Sequence, residues 1–477
     1  MQRVVVYSLM TLSVIGLVVV LVFVMLGYQF NSDDGKIEQG GLVQFDSQPS
    51  GAEVTIDGRA FGTRTASKTT MTAGQHYITM SREGYAPWQK SVTVVPGSVL
   101  WLNYARLVPT ELDPKSVADF PTVTSAAPSP DAKDMAIIEN ASSPVLKTAD
   151  LTREDAKIAT LTIPAEIYTA PDAGKTQRFT IDSWDPDSRH ILVRHDYNDD
   201  KTEWLVIDTD GIGDSKNVTR LLDITASKLR FSNSDSAILY AQIDGDIRKV
   251  NLNDATLSRP LITNVDTFDL YSDTMVTYAS RPDETTGKRT VGYYVDGADA
   301  PRTVRTIDDK DAPLRFTVGR YFNETFEAIA LGDTVEVLRG DLPRDGKTKI
   351  SLKPVTTFQI PGGAQYLSDQ TNGRFIVAQN GATYVTYDLE LEEKTTTTLK
   401  GVAEVKSELK WLDKYHIWSD RDGMLRLYEF DGANPQDIMP VVPGMSATLN
   451  SNGKYLYGIT KSVDGVHHLS RVQMILD

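Results

Sequence analysis

The sequence of 477 residues contains no cysteine and only six histidines. Without cysteine, the chain has no disulfide bond, thiolate metal site, cysteine nucleophile or lipidated N-terminal cysteine. The sequence also lacks the G-x-S-x-G motif of serine hydrolases and the H-E-x-x-H motif of zinc proteases. A formal net charge of −15 disfavours a nucleic-acid partner, because phosphates repel an acidic surface. These absences remove several recognisable enzyme classes and nucleic-acid binding.

Hydrophobic residues make up 40% of the chain and charged residues 24%, which predicts folded domains rather than disorder. A chain of 477 residues is too long for one ordinary hydrophobic core, so we expect two or more domains. The missing cysteines do not identify the compartment by themselves, because an exported protein can fold without disulfides.

One apolar segment near the N-terminus does indicate a compartment. Residues 4–26 carry no charge, and a helix of this length, at ~1.5 Å per residue, spans a bilayer core of roughly 30 Å. No small-x-small cleavage signal follows, so we predict an uncleaved signal anchor, with a cleaved signal peptide as the alternative. Arg3 precedes the apolar run and acidic residues 33–34 follow it. This charge bias predicts a single pass through the cell membrane, with a cytoplasmic stub at 1–3 and an extracytoplasmic remainder that begins with a tether at 27–40.

Residues 41–109 have the pattern of a compact all-β module. The stretch "DSQPSGAEVTIDG" at 46–58 places apolar residues at alternate positions, as in a strand with one buried face. Asp57-Gly58 is a dipeptide suited to a tight hairpin, because both residues tolerate a positive φ. Further strand-like stretches follow, each bounded by a glycine or proline turn.

These residues resemble the PEGA domain. The matching landmarks are "PSGAEVTIDG" at 49–58, "FGT" at 61–63, "AGQHYI" at 73–78, "EGY" at 83–85 and "LVP" at 107–109. Ser50 replaces the glutamate of the family signature, and Arg64-Thr65 stands where a Thr-Pro is usual. The resemblance implies a small β-sandwich-like module for extracytoplasmic adhesion or scaffolding, and it implies no catalytic residues.

Residues 110–127 are predicted to be a proline-containing linker, and the remainder of the chain, 128–477, repeats itself. Eight stretches combine a polar turn with an apolar run, at 129–138, 184–193, 231–240, 271–278, 321–330, 368–377, 411–418 and 450–457. A period of roughly 40–55 residues is typical of β-propeller blades, and the turns resemble those of TolB-type propellers. We predict eight blades, or seven if the weaker copy at 321–330 is false. The last strand near the C-terminus then needs a partner strand from 111–124 to close the ring.

Candidate binding residues are few. Tyr85 and Trp88, in "GYAPW", are the best candidates to stack on a sugar ring, and the alternative is that both fill the core of the small module. No catalytic, cofactor-binding or metal-binding residue is predicted, and the histidines are expected to have structural roles.

Two motifs have weak chemical interpretations. Residues 196–200 ("DYNDD") space oxygen ligands as in the first half of a calcium loop, and 207–211 ("IDTDG") lies in the same repeat. Both lack the remaining calcium ligands, so acidic hairpin turns are the alternative to a Ca²⁺ site. Residues 340–348 ("GDLPRDGKT") resemble a phosphate loop but have one residue too many between the glycines, which favours a long hairpin tip.

The sequence therefore predicts an all-β protein with an N-terminal transmembrane helix, a PEGA-like module and a propeller. The predicted function is recognition or scaffolding at the cell envelope, with an envelope protein, a surface-layer component or a cell-wall glycan as ligand. One alternative is a carbohydrate-active enzyme that uses acidic residues at the channel mouth. Another is a sensory or assembly subunit, which needs a membrane partner because three cytoplasmic residues cannot carry a signal.

Overall fold

A computed structural model describes residues 2–25, 27–31, 36–369, 373–399 and 408–476. The chain divides into two compact units, one of Met1–Asp113 with Gln473–Asp477 and one of Pro114–Val472. Leu26 at the end of the predicted anchor, the acidic residues 33–34, and residues 370–372 of one turn repeat lie outside the described residues.

The first unit begins with helix α1, Gln2–Met25. Its apolar side chains between Val6 and Phe23 are exposed, and it is the single helix among the described residues that is long and apolar enough to cross a membrane. The hydroxyls of Thr11 and Ser13 each donate to the carbonyl four residues earlier, at 2.9 Å. These polar groups are thus satisfied inside the helix, as a hydrocarbon environment requires.

The segment predicted to be a tether contains a short hairpin. Strand β1, Tyr28–Asn31, pairs antiparallel with strand β2, Lys36–Gln39. The amide of Gly40 then donates to the carbonyl of Gly27 at 2.9 Å, so the chain returns to the point where it leaves the helix.

Seven further strands build the small module. They are β3 Gly41–Gln48, β4 Glu53–Ile56, β5 Arg59–Arg64, β6 Ser67–Met71, β7 Gly74–Ser81, β8 Trp88–Val94 and β9 Val99–Arg106. One sheet has the order β6-β3-β9, in which β3 and β9 run parallel, and the other has the order β5-β4-β7-β8. Val43 and Phe45 on the first sheet and Ile78 and Met80 on the second are fully buried, which gives the module its apolar interior.

The Asp57-Gly58 turn joins β4 to β5, and both residues have a positive φ, of 49° and 77°. Asp57 also accepts hydrogen bonds from the amide of Tyr77 at 2.8 Å and pairs with the ring of His76 at 2.7 Å. The turn residue predicted from the sequence thus also connects two strands of its sheet.

The second unit is built from short strands between residues 115 and 473, and its described residues include one short α-helix, α2, Val218–Leu222. The strands are β10 Lys115–Phe120, β11 Ser125–Pro128, β12 Asp134–Ile138, β13 Val145–Asp150, β14 Lys157–Thr162, β15 Gln177–Trp184, β16 His190–Tyr197, β17 Lys201–Asp208, β18 Lys216–Asn217, β19 Lys228–Phe231, β20 Ile238–Ile243, β21 Asp246–Asn251, β22 Thr256–Leu257, β23 Val265–Ser272, β24 Met275–Ser280, β25 Arg289–Val295, β26 Arg302–Ile307, β27 Leu314–Tyr321, β28 Glu324–Leu331, β29 Thr334–Arg339, β30 Lys353–Gln359, β31 Tyr366–Asp369, β32 Phe375–Asn380, β33 Thr383–Asp388, β34 Glu393–Thr398, β35 Lys410–Trp411, β36 His416–Ser419, β37 Met424–Glu429, β38 Gln436–Pro440, β39 Thr448–Leu449, β40 Tyr455–Lys461 and β41 His467–Gln473.

These strands form eight four-stranded sheets within the described part of the chain, and each sheet is one blade of a β-propeller. Blades 1 to 7 contain four consecutive strands each, from β11–β14 to β35–β38, and blade 8 contains β39, β40, β41 and β10. The weaker copy at 321–330 is a true repeat, because it joins β27 to β28 of blade 5. The predicted all-β propeller is confirmed, with eight blades rather than seven.

Apolar cores between neighbouring blades hold the propeller together. Ile138 of blade 1 packs in one cluster with Ile181 and Val193 of blade 2, and Phe326 of blade 5 packs with Ile376 of blade 6. Each sheet thus covers an apolar face of the next, which explains why no single repeat is hydrophobic enough to fold alone.

Strand β10 closes the ring by pairing antiparallel with β41 as the fourth strand of blade 8. Phe120 on β10 is 1% exposed and lies in one core with Ile137 of blade 1 and Tyr457 of blade 8. The segment 110–127, predicted to be a linker that could also supply a closing strand, therefore contains both β10 and most of β11.

Candidate functional site

All eight polar turns found in the sequence join the first and second strands of their blades. Because strands alternate in direction in each antiparallel sheet, these turns lie at the same end of the ring as the connections between third and fourth strands. We call this end the turn face. The connections between second and third strands lie at the opposite end.

The repeated polar residues hold the turns in shape. Asp185 is fully buried, and its carboxylate accepts from the amides of Arg189 and His190 at 2.8 and 2.9 Å. Asp413 in blade 7 and Asn450 in blade 8 accept backbone amides in the same way. These side chains replace backbone partners inside a tight turn, so the repeat itself is structural rather than catalytic.

An open cavity of about 980 Å³ lies on the turn face, and residues of blades 3 to 6 with Glu408 line it. The first strands of adjacent blades β23, β27 and β31 contact one another, so these strands surround the axis of the ring. We call this space the channel cavity. Its lining includes acids, bases, hydroxyls and exposed aromatic surface: Arg230, Asp269, Tyr271, Thr317, Arg320, Phe322, Asp341, Asp369 and Glu408.

Asp269 and Asp369 are two of the four carboxyl groups that line the channel cavity, and they come from different blades. Asp369 ends β31, where the Thr317 hydroxyl donates to it at 3.4 Å. Burial, with a smaller contribution from the negative charge of Asp269, raises the pKa of Asp369 to about 7. Asp269 on β23 forms an ion pair with Arg230 of blade 3, at 2.5 Å. The cavity therefore holds one carboxyl that titrates near neutral pH beside one that is paired with a base.

Gly319 leaves the space that Asp369 occupies. A Cβ atom at position 319 would lie 3.2 Å from the Cβ of Asp369, which is tighter than an ordinary contact. Glycine at this position therefore lets the carboxyl lie against β27.

Two partly buried lysines lie on other first strands of the ring. Burial lowers the pKa of Lys228 on β19, and its ammonium lies 5.0 Å from the centre of the Phe268 ring. Burial also lowers the pKa of Lys410 on β35, which lies 4.7 Å from the Trp418 ring. Aromatic faces stabilise these partly desolvated cations.

Phe322 is the exposed aromatic residue at the rim of the channel cavity. It lies in the turn between β27 and β28, is 79% exposed, and has a left-handed φ of 50°. An apolar side chain held in this strained position is available to a ligand. The sequence does carry a signal for this residue, because the copy at 321–330 has phenylalanine at a position where most other copies have a polar residue.

Glu327 on β28 is a buried carboxyl that the sequence did not reveal. Neither of its oxygens has a hydrogen-bond partner among the residues that the structure describes, and burial raises its pKa to about 9. Its cross-strand neighbours are Val318, which lines the channel cavity, and Leu338. At neutral pH the group is therefore protonated, which reduces the free-energy cost of burying it.

A second open cavity, of about 1110 Å³, lies between the outer strands of blades 4 and 5. The loop 340–352 borders it, and Arg302 donates to the carbonyls of Pro343, Asp345 and Thr348 in this loop. The amides of Lys347 and Thr348 donate to the Asp345 carboxylate. Because these amides are already used, and because β30 rather than a helix follows, the loop does not have the geometry of a phosphate-binding loop.

The two aromatic residues predicted to bind sugar lie in the module core. Trp88 is 2% exposed and packs edge-on against Tyr104, with ring centres 6.0 Å apart. Tyr85 is 6% exposed, and its hydroxyl accepts from the amide of Leu476 at 2.7 Å. Their ring faces are not available to a ligand, so the sequence-based candidates have to be corrected, and Tyr85 and Trp88 stabilise the module instead.

The oxygen atoms of the calcium-like stretch have protein partners. Asp196 accepts from Arg194 and Thr202, and Asn198 exchanges hydrogen bonds with Asp172. In the second stretch, Asp208 pairs with Arg189 at 2.7 Å, which together with backbone amides lowers its pKa to about 2. Among the described residues no group of three or more histidine, aspartate or glutamate side chains is arranged to hold a metal ion.

Each histidine ring contacts a protein group close by. The pairs are His76 with Asp57, His190 with Asp185, His195 with Glu203, His416 with Asp413, His467 with the amide of Val123, and His468 with Asp119. The adjacent His467 and His468 thus reach different partners.

Residues 41–110 match the PEGA domain family, so the resemblance read from the sequence is confirmed and this segment is a PEGA domain. No curated protein is significantly similar to the chain. Among solved structures, the β-propeller domain of Myceliophteria thermophila Cps50 (Swd1) is 9% identical, with 70% of this chain and 100% of that one covered and a TM-score of 0.42. Sqt1 from Chaetomium thermophilum is 12% identical, with 76% and 99% covered and a TM-score of 0.42. These proteins are similar in fold alone.

Proposed function

We propose that this protein is a membrane-anchored, extracytoplasmic binding protein of the cell envelope. Helix α1 would hold it in the membrane with the PEGA domain and the propeller outside, as the charges flanking the apolar run favour. Its ligand would be an envelope protein, a surface-layer component or a cell-wall glycan.

The observation that carries this proposal is the channel cavity. Side chains from several blades meet there on rigid strands, so a ligand can be contacted from several directions at once. The cavity offers Arg230 and Arg320 for acidic or hydroxyl groups, the carboxylates of Asp269 and Asp341 for basic groups, and Phe322 for apolar surface. A polar ligand with an apolar face, such as a peptide segment or a sugar chain, fits this combination.

Replacing Phe322 with alanine is expected to weaken capture of the ligand by roughly tenfold or more, because an aromatic side chain that a ligand covers often contributes a large share of the binding energy. Two assays of the full-length protein in detergent measure this change. Chemical cross-linking captures solubilised envelope proteins, a glycan array captures sugars, and the bound material is quantified in both.

Val463→Ala provides the matched control. Val463 is fully exposed and lies between β40 and β41, at the end of the ring opposite the turn face. Equal capture by wild type and both variants would exclude the channel cavity as the binding site.

A second candidate function is acid–base catalysis on a glycan in the same cavity, and Asp269 and Asp369 favour it because two carboxyl groups line one space. In such a reaction Asp369, with its pKa of about 7, would protonate the leaving oxygen while a carboxylate assists the attack of water.

If this second function holds, wild-type protein releases reducing sugar from envelope polysaccharide, and Asp369→Asn slows release by roughly 100-fold or more. If binding alone is the function, neither protein releases sugar. Release by wild type with loss in the Asp369→Asn variant would replace the binding proposal with the enzymatic one.

A further inference from the structure

One end of an outward face of the PEGA domain is apolar although it faces solvent. In the sheet β6-β3-β9, Val99 and Trp101 point away from the module interior and are 44% and 39% exposed. Leu42 lies directly opposite Val99 on β3, and Val95, in the turn before β9, is 55% exposed. We call Leu42, Val95, Val99 and Trp101 the apolar face.

This face begins beside the exit of helix α1. Gly40 donates to the carbonyl of Gly27 at 2.9 Å, and Gly97 donates to the carbonyl of Gly40 at 2.9 Å. Two consecutive hydrogen bonds therefore connect Gly27, two residues beyond the end of α1, to the turn that carries Val95 and leads to Val99. At ~3.3 Å per residue of strand, Val99 lies within roughly 7 Å of Gly97 along the chain.

The side chains around this junction are those that favour a membrane–water interface. At the end of the helix, the rings of Phe23 and Tyr28 pack edge to face, with ring centres 5.0 Å apart. On the outward side of the sheet, Trp101 on β9 and the exposed Lys68 on β6 both lie opposite Gln44 of β3. Aromatic rings and lysine are enriched where headgroups meet the hydrocarbon core.

We propose that the apolar face of the PEGA domain lies against the lipid headgroups of the membrane that holds α1. The inference rests on the proposed membrane anchor, because the bilayer is the surface that must be present at the exit of the helix. Contact with the bilayer removes Val99 and Trp101 from water and holds the module flat against the membrane. The outward face of the other sheet, which carries Tyr77, is then directed away from the bilayer.

The absence of cysteine makes a direct test simple, because one introduced cysteine is the single labelling site. The full-length variants Val99→Cys and Tyr77→Cys are labelled with a fluorophore and reconstituted into phosphatidylcholine nanodiscs. Tyr77 is the matched control, since it is also 44% exposed but lies on the second sheet. The label at 99 is expected to be quenched by nitroxide-bearing phospholipid and to be about threefold less sensitive to aqueous iodide than the label at 77.

A third variant, Val14→Cys, reports on the helix itself. Quenching of a label at 14 by lipid, together with identical behaviour of the labels at 99 and 77, would overturn the docking of the PEGA domain and leave the anchor in place. No lipid quenching at 14 would overturn both. A label at 99 that is protected from iodide but not quenched by lipid would show that a protein surface, such as a second copy, covers this face instead.

Discussion

A fragment of residues 115–473 is expected to fold into the closed propeller, whereas a fragment of residues 122–473 is expected to lose cooperative folding and to aggregate. The two differ only in β10 and the residue after it, but β10 is the fourth strand of blade 8 and carries Phe120 into the core shared by blades 1 and 8. Removal of a buried phenylalanine side chain alone costs about 3–5 kcal/mol, a large part of the 5–15 kcal/mol that typically stabilises a folded domain.

Size-exclusion chromatography and urea unfolding followed by tryptophan fluorescence measure this difference. The longer fragment controls for loss of the helix and the PEGA domain, which both fragments lack. A shorter fragment that elutes as a monomer and unfolds at the same urea concentration would show that the ring does not need β10.

A large loss of stability is also expected from Glu203→Ala in blade 2. Glu203 is 1% exposed and pairs with the buried ring of His195 at 2.8 Å. The same carboxylate accepts from the amide and hydroxyl of Thr169 and from the side chain of Asn217, at 2.7–2.9 Å. Alanine leaves these donors buried without an acceptor, so we expect the free energy of unfolding to fall by about 3–5 kcal/mol.

Glu324→Ala is the matched control, because Glu324 is exposed in blade 5 and pairs with Arg339 only at 3.5 Å. We expect it to change the free energy of unfolding by less than about 0.5 kcal/mol. Trp204, next to Glu203, reports the transition by fluorescence. Similar unfolding midpoints for the two variants would show that the network around Glu203 adds no stability.

The stability that Glu203 contributes is expected to decrease at acidic pH. Burial alone would raise the pKa of Glu203, but hydrogen bonds from His195, Thr169 and Asn217 lower this pKa from 4.5 to about 2. Stability from a carboxylate with a lowered pKa is present above the unfolded-state pKa and is lost as the pH falls through the folded-state value. The difference in the free energy of unfolding between wild type and Glu203→Ala is therefore expected to be largest near roughly pH 6. It is expected to decrease as the pH falls from roughly 5 to 2.

The fold could be predicted from the sequence because local sequence patterns specify it. A polar turn followed by an apolar run recurs in every blade, and its residues form hydrogen bonds within a few positions, as Asp185 and Asn450 do. Asp57-Gly58 likewise needs only its own backbone geometry to define a hairpin. The closing strand β10 also lies within 111–124, the segment expected to supply it.

The candidate site could not be predicted from the sequence, because it depends on packing between distant parts of the chain. Asp269 and Asp369 are one hundred positions apart, and nothing local indicates that they line the same cavity. The sequence also does not show which aromatic residues are buried. Tyr85 and Trp88 are residue types that often bind sugars, but Tyr85 contacts Leu476 and Trp88 contacts Tyr104 in the interior. A sequence pattern gives the direction of a side chain on its own strand, whereas the neighbouring element decides whether its surface remains free.

The pairing of β10 with β41 also imposes an order on biosynthesis. Asp119 and its partner His468 are separated by 349 positions, so β10 emerges long before its partner has been made. At a typical ~5–20 residues per second, translation needs roughly 20–70 s to cover that interval. During this time β10 lacks its partner strand, so its backbone groups are free to pair with another chain.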